Sequence, residues 1–261
     1  MKIGLKLYST DTMLIPEAGD LKGDFFDFVE LYIVPGSHGA TIEAWKDLSG
    51  SYVVHAPHSF HGVNFARADH WETNSRCFRE TQMFADDLSS EVIIVHGGSN
   101  GFFQETLRQL SLLNDDRIFL ENKPRRGLFG EECVGWSPAD FLLACTMGAV
   151  SGMVLDFVHA NCAALSLNAD TTIMLNEFLA FNPRVFHLSD GDALSEKDTH
   201  RNFGQGNLDV AGFLSLVPCG GWITIETPRD PSKGLGDFVG DVLFLRDIRS
   251  TITPARAIRK R

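Results

Sequence analysis

Short apolar runs recur along the chain about once every thirty residues, the length of one strand–helix unit. They are KIGLKL (2–7), FVELYI (28–33), YVVHA (52–56), VIIVH (92–96), RIFLE (117–121), MVLD (153–156), RVFHL (184–188) and WITIE (222–226). Several are continuously apolar rather than alternating, the pattern of parallel strands covered on both faces. Segments of helical length lie between them. Residues 68–88 set Cys77, Phe84 and Leu88 on one face, and 236–248 align Phe238, Val242 and Leu245. The first helix, expected within 11–20, is poorly signalled because Pro16 and Gly19 interrupt it. Eight strands alternating with helices is the count of a single (β/α)8 TIM barrel, an α/β fold. A doubly wound open sheet is the alternative, but it carries a Gly-rich first turn that is absent here. No linker of biased composition divides the chain. One domain over residues 1–261 is therefore expected, with a basic tail at about 254–261.

Composition narrows the function classes. The 261 residues carry 34 acids against 23 bases, a formal charge of −11, with nine histidines outside that sum. Such a balance argues against gripping nucleic acid by bulk charge, though not against a local basic surface. No apolar run approaches the roughly 18 residues of a membrane span, and Met1-Lys2-Ile3-Gly4-Leu5-Lys6 has no signal-peptide core. The five cysteines (77, 133, 145, 162, 219) are widely spaced and odd in number, which suits a reducing cytoplasm. No membrane and no obligate protein partner is implied.

Chemistry concentrates at the C-terminal ends of the runs. Run three carries His55, run four ends in His96, run five in Glu121, run six in Asp156 and run eight in Glu226; run seven carries His187 one residue before its end. In a barrel this rim holds the active site, so the six side chains should converge. His159 follows Asp156 by three residues, and Asp198 and His200 form a D-x-H in the next loop. Any one of these alone is more readily a structural histidine or a rim charge. Together they weaken that reading, because buried charges are costly unless paired or metal-bound. Zinc takes about four ligands, so nine imidazoles and carboxylates suit two or three ions.

The segments H-A-P-H (55–58), V-H-G-G (95–98), L-E-N-K (120–123), L-D-F-V-H (155–159), H-L-S-D (187–190), D-T-H-R-N-F-G-Q-G-N (198–207) and I-E-T-P (225–228) resemble the endonuclease IV family of apurinic/apyrimidinic endonucleases. That family lies within the xylose-isomerase-like TIM-barrel superfamily. The resemblance implies a hydrolase of DNA repair that acts at abasic sites through zinc ions and an activated hydroxide. It implies His55, His96 and Glu121 on one ion, with Glu121 bridging to a second held by Asp156, His187 and Glu226. His159, Asp198 and His200 would hold a third. Glu121, Glu226 and His159 are the expected catalytic residues. The chain departs from the family at D-F-V-H, where D-T-C-H is usual, in the short arginine-free loop 35–39, and at His58, where the family often has tyrosine.

Sugar isomerases and epimerases of the same superfamily are the main alternative. They need one Mn2+, Mg2+ or Co2+ on a Glu, Asp, His, Glu set, here Glu121, Asp156, His187 and Glu226. His55, His96, Asp198 and His200 have no evident task in that reading. A non-catalytic metal-dependent binding barrel is a third reading. Expected partners are thus abasic DNA or a small phosphoester or sugar. Lys123, Arg125 and Arg126 are candidate phosphate contacts, balanced by a solvated-loop reading, and His58 is a further weak candidate. Glu30 is a candidate for orienting a ligand.

Overall fold

The β-branched and aromatic runs become eight parallel strands: β1 (Lys2–Tyr8), β2 (Phe28–Tyr32), β3 (Ser51–His55), β4 (Ile93–His96), β5 (Ile118–Glu121), β6 (Gly152–Asp156), β7 (Val185–Leu188) and β8 (Trp222–Ile225). They close in sequence order, β1 pairing with both β2 and β8, so the sheet is a barrel rather than an open layer. The computed structural model describes residues 1–48, 50–230 and 233–252; the expected basic tail at about 254–261 lies outside them.

Nine α-helices among the described residues wrap the barrel: α1 (Ile15–Leu21), α2 (His38–Leu48), α3 (Trp71–Asp87), α4 (Phe103–Leu113), α5 (Pro138–Thr146), α6 (Phe157–Ser166), α7 (Thr171–Leu179), α8 (Val210–Leu216) and α9 (Gly236–Ile252). Helix α1 forms despite Pro16 because the proline sits in the first turn, where its missing N–H leaves no bond unmade. Gly19 lies within the helix, which continues to Leu21. No helix among the described residues is long and apolar enough to cross a membrane.

The apolar residues form two layers. The larger lies between sheet and helices and includes Leu5, Leu31, Val54, Val95, Leu155, Phe186, Phe141 and Phe178. The smaller plugs the barrel itself: Phe28, Val53, Val92, Ile94, Val154 and Val185, with Phe119 and Trp222 packed against it. Gly4, the register partner of Phe28, makes room for this plug, since a Cβ there would lie 2.3 Å from the Phe28 ring. Strand side chains alternate faces, so residues two positions beyond the plug also point inward, but at the mouth. In the outer layer, fully buried Phe178 meets Phe141 edge-on at 5.5 Å. Phe178→Ala should therefore destabilise the fold by about 3–5 kcal/mol. A lower urea midpoint with an unchanged slope would show it, and an unshifted midpoint would contradict this packing.

Candidate metal centre

Two residues above the apolar plug, the strands present Glu30, His55, His96, Glu121, Asp156 and His187, with Lys6 two residues beyond Gly4 and Glu226 just past β8, two beyond Thr224. The strand pleat alone sets this spacing. Glu30, His55, Glu121, Asp156 and His187 are buried. The first turn of α6 adds His159, and the loop after β7 adds Asp198 and His200.

Potential ligand atoms gather in overlapping groups: His55, His96 and Glu121; Glu121, Asp156 and His159; His159, Asp198 and His200; and Glu30, His187 and Glu226. Glu121 stands at the centre. Its Oε2 lies 3.3 Å from His55 Nε2, 2.9 Å from His96 Nε2 and 3.4 Å from His187 Nδ1. Its Oε1 lies 3.1 Å from His159 Nδ1. Oε2 is thus shared among imidazoles from β3, β4 and β7, while Oε1 faces the imidazole at the start of α6.

The histidines are oriented from behind. His55 Nδ1 donates to the Ala56 carbonyl at 2.8 Å, His159 Nδ1 to the Asn122 carbonyl at 2.8 Å, and His200 Nδ1 to the Glu226 carbonyl at 2.6 Å. A carbonyl only accepts, so Nδ1 carries a proton, and Nε2 is the nitrogen whose lone pair, once unprotonated, faces the pocket. His187 is reversed: its Nε2 bonds Glu30 Oε2 at 2.9 Å, and Nδ1 faces Glu226 Oε1 at 2.9 Å. One ring nitrogen tied back and the other turned toward carboxylates is the arrangement that metal-binding histidines require. His187 Nδ1 and Asp198 Oδ1 are buried without a hydrogen-bond partner among the described residues. The donor set therefore fits divalent cations.

Electrostatics points the same way. Burial opposes charging His159, yet Asp156 and Asp198 outweigh it and raise its pKa to about 10. Burial is likewise overcome at His200, lifted to about 9 by Asp198, and at His187, raised well above its ordinary value by Glu226 and Glu30. Burial prevails at His96, pushing it down to about 3 in spite of Glu121. Burial also raises the Asp156 carboxyl, which His159 offsets only partly. The pocket thus demands positive charge around Asp156, Asp198 and Glu226, and protonated histidines supply it where divalent ions otherwise would.

Further hydrogen bonds hold the segments that carry these side chains. Asp156 caps α6, its Oδ1 accepting from His159 N at 2.7 Å, which fixes the D-x-x-H spacing. Asn122 brackets the same residue, accepting from Asp156 N at 2.7 Å and donating to its carbonyl at 2.9 Å. Asp190 accepts from the backbone N–H groups of Gly191, Gly204, Gly206 and Leu208 at 2.8–3.2 Å. A Cβ at Gly206 would come within 2.2 Å of the Gly191 carbonyl oxygen, so only glycine lets the loop close this tightly. Asp241 of α9 accepts from Phe203 N at 2.9 Å and Asn202 Nδ2 at 2.8 Å. Two carboxylates thereby pin the segment that carries Asp198 and His200. Asn122 and Asp190 stand inside the quoted motifs L-E-N-K and H-L-S-D; Asp241, distant in sequence, had no local signal.

The weaker candidates separate. Lys123 reaches the centre, its Nζ 3.5 Å from His159 Nε2. Arg125 instead lies 5.5 Å over the Trp136 ring and 3.7 Å from Glu132, and Arg126 pairs with Glu196 at 3.0 Å. His58 stacks on His96 with centroids 4.7 Å apart, and burial beside His96 and His55 keeps it neutral. Lys6, missed in the sequence, ion-pairs with Glu30 at 2.9 Å and with Glu226.

A model of the xylose isomerase-like TIM barrel matches residues 23–248. The chain belongs to the xylose isomerase-like TIM-barrel family. No curated protein matches it in sequence. Among solved structures, a D-tagatose 3-epimerase-like protein superposes with a TM-score of 0.71 at 21% identity, covering 97% of this chain and 98% of that one. Endonuclease IV from Thermus thermophilus gives 0.68 at 22% identity, with 97% and 99% covered. The 3-keto-D-glucoside 4-epimerase YcjR from E. coli gives 0.64 at 13%, with 95% and 99% covered. At these identities the xylose isomerase-like barrel is shared, and the fold by itself does not choose among chemistries.

A histidine whose pKa the fold raises stabilises it fully below about pH 6.5, its unfolded value, and ceases to do so as pH climbs through the folded value. With His200 at about 9 and His159 at about 10, chelator-treated protein should lose thermal stability between about pH 7 and 10. Melting temperature against pH measures this. A flat profile, or one that His200→Asn leaves unaltered, would contradict the charged-histidine description.

Proposed function

We propose that this barrel is a metal-dependent phosphoester hydrolase that works with two or three zinc ions, abasic DNA being its first candidate substrate. The observation that carries the reading is the presence of complete ligand groups on both sides of Glu121. His55 and His96 close one side, and His159, Asp198 and His200 the other. In a one-ion isomerase His55, His96, Asp198 and His200 have no evident task. Phosphoester hydrolysis uses several cations, because charge develops on the phosphate oxygens and on the departing alkoxide together.

In this reading His55, His96 and Glu121 hold one ion. Glu121, Asp156, His187 and Glu226 hold a second, and His159, Asp198 and His200 a third. Bound there, the ions supply Lewis acidity and lower the pKa of water. The chain's own groups position the rest. Glu121 links all of the clusters through its two oxygens, the backbone carbonyls behind His55, His159 and His200 fix their tautomers, and Lys123 offers an ammonium beside His159 for a phosphate oxygen. Exposed Phe60, Phe102 and Phe129, on the loops after β3, β4 and β5, give an extended substrate aromatic faces at the rim.

Isomerase or epimerase chemistry is the second reading, supported by the quartet Glu121, Asp156, His187 and Glu226 and by the likeness to the D-tagatose 3-epimerase-like protein. Metal content separates the two. Zinc-saturated protein should carry close to three ions per chain by elemental analysis; one ion would sink the hydrolase and favour the isomerase. Cleavage of an abasic duplex by wild type, lost by at least ~100-fold in His200→Ala, is the matching activity result. Full metal without cleavage would remove DNA as substrate. Glu121→Gln should lose metal at two positions, and retention of the whole complement would contradict its bridging place.

A further inference from the structure

Lys6 and Glu30 are register partners on β1 and β2, side by side on the inner wall of the barrel. Lys6 Nζ lies 2.9 Å from Glu30 Oε1 and also contacts Glu226 Oε1. That oxygen is the one His187 Nδ1 faces at 2.9 Å. Glu30 uses its other oxygen, Oε2, to accept from Thr224 Oγ1 at 2.7 Å and to hold His187 Nε2 at 2.9 Å. One buried carboxylate therefore ties an ammonium and an imidazole together, and both converge on Glu226. Among the described residues, Glu226 is the sole carboxylate of the proposed ligand set that ion-pairs with a lysine; Glu121, Asp156 and Asp198 meet only histidines. The Lys6 side chain is 21% exposed, against 0% for Glu30, so the ammonium can turn toward the pocket while Glu30 stays fixed.

Resting on the multinuclear reading above, we propose that Lys6 is a positioning residue that competes with a divalent ion for Glu226 Oε1, so that the Glu121–Asp156–His187–Glu226 position binds its ion more weakly than the two outer groups. A fixed cation and a metal cannot share one oxygen lone pair without loss of attraction for each. Glu30 sets the strength of the competition. It is the alternative acceptor for Lys6, and it keeps His187 Nδ1 aimed inward when the ion is present. The centre would then hold two tightly bound ions and one exchangeable ion, the last governed from outside the ligand set.

The test uses full-length protein saturated with Zn2+ and dialysed against buffers of decreasing free zinc, with ions per chain counted by elemental analysis. Wild type should fall from three ions to two in a first step, separated from later loss by at least tenfold in free zinc. Lys6→Met should move that step at least tenfold toward lower free zinc, and Glu30→Gln, which leaves Lys6 with Glu226 alone, should move it the opposite way. Because Lys6→Met leaves Glu30 without its ammonium, the double variant Lys6→Met/Glu30→Gln is measured beside it, with circular dichroism to verify the fold. The double variant should also hold the exchangeable ion at the Glu121–Asp156–His187–Glu226 position more tightly than wild type. A first step unmoved or weakened in both Lys6 variants overturns the proposal. A wild type that never exceeds one ion overturns the multinuclear reading itself, a separable result.

Discussion

Five carboxylates, Glu30, Glu121, Asp156, Asp198 and Glu226, meet at the mouth of one barrel with side chains 0–11% exposed. Charges taken this far out of water are sustained only by cations at contact distance, and the rest of the site is arranged around that requirement. Lys6 meets part of it. The remainder falls to histidines whose pKa values are raised by the same carboxylates, at the positions where divalent ions would relieve them. An excess of negative charge at the mouth is thus compatible with a polyanionic substrate, because bound ions would turn the same pocket positive.

Holding such a cluster together calls for rigid supports. The floor beneath it is apolar and closely packed, Phe28 filling the space Gly4 leaves open. The loops above are pinned by carboxylates that are not proposed ligands: Asp190 gathers four backbone N–H groups, and Asp241 reaches from α9 to the segment behind His200. Asp156 serves two ends at once, capping α6 and facing the pocket. Ligand geometry in this centre is therefore coupled to helix and loop formation, and the acid-rich mouth and the barrel wall form one cooperative unit.

The likeness to an epimerase-like protein and to an endonuclease IV at nearly equal TM-scores shows how little the barrel alone says about chemistry. What separates the readings is local. Under either proposal Glu121 and Glu226 would hold an ion, whereas His55, His96, Asp198 and His200 extend the donor set beyond the needs of one ion. Lys6 adds a feature of another kind, a permanent cation beside a shared carboxylate.

The strands were legible in the sequence because each is an apolar-rich run, several of them apolar on both faces, and their number implied a closed barrel. Each run corresponds to one strand with its limits shifted by at most one or two residues. His55, His96, Glu121, Asp156 and His187 were legible because strand polarity places them on one rim, and His159 because a helix cap fixes its offset from Asp156. Lys6 was not assigned to the centre, and Glu30 only as a candidate for orienting a ligand, since an inward charge on a strand looks the same in sequence whether it meets a partner or water. The aims of Lys123 toward His159 and of Arg126 toward Glu196 were equally hidden, because loop side chains take their direction from neighbours that are remote in the chain. Sequence by itself determined the periodicity, the strand order and the supply of ligands. Tertiary structure alone decided which oxygen each imidazole faces and which cation shares it, because those choices depend on contacts between strands up to 220 residues apart.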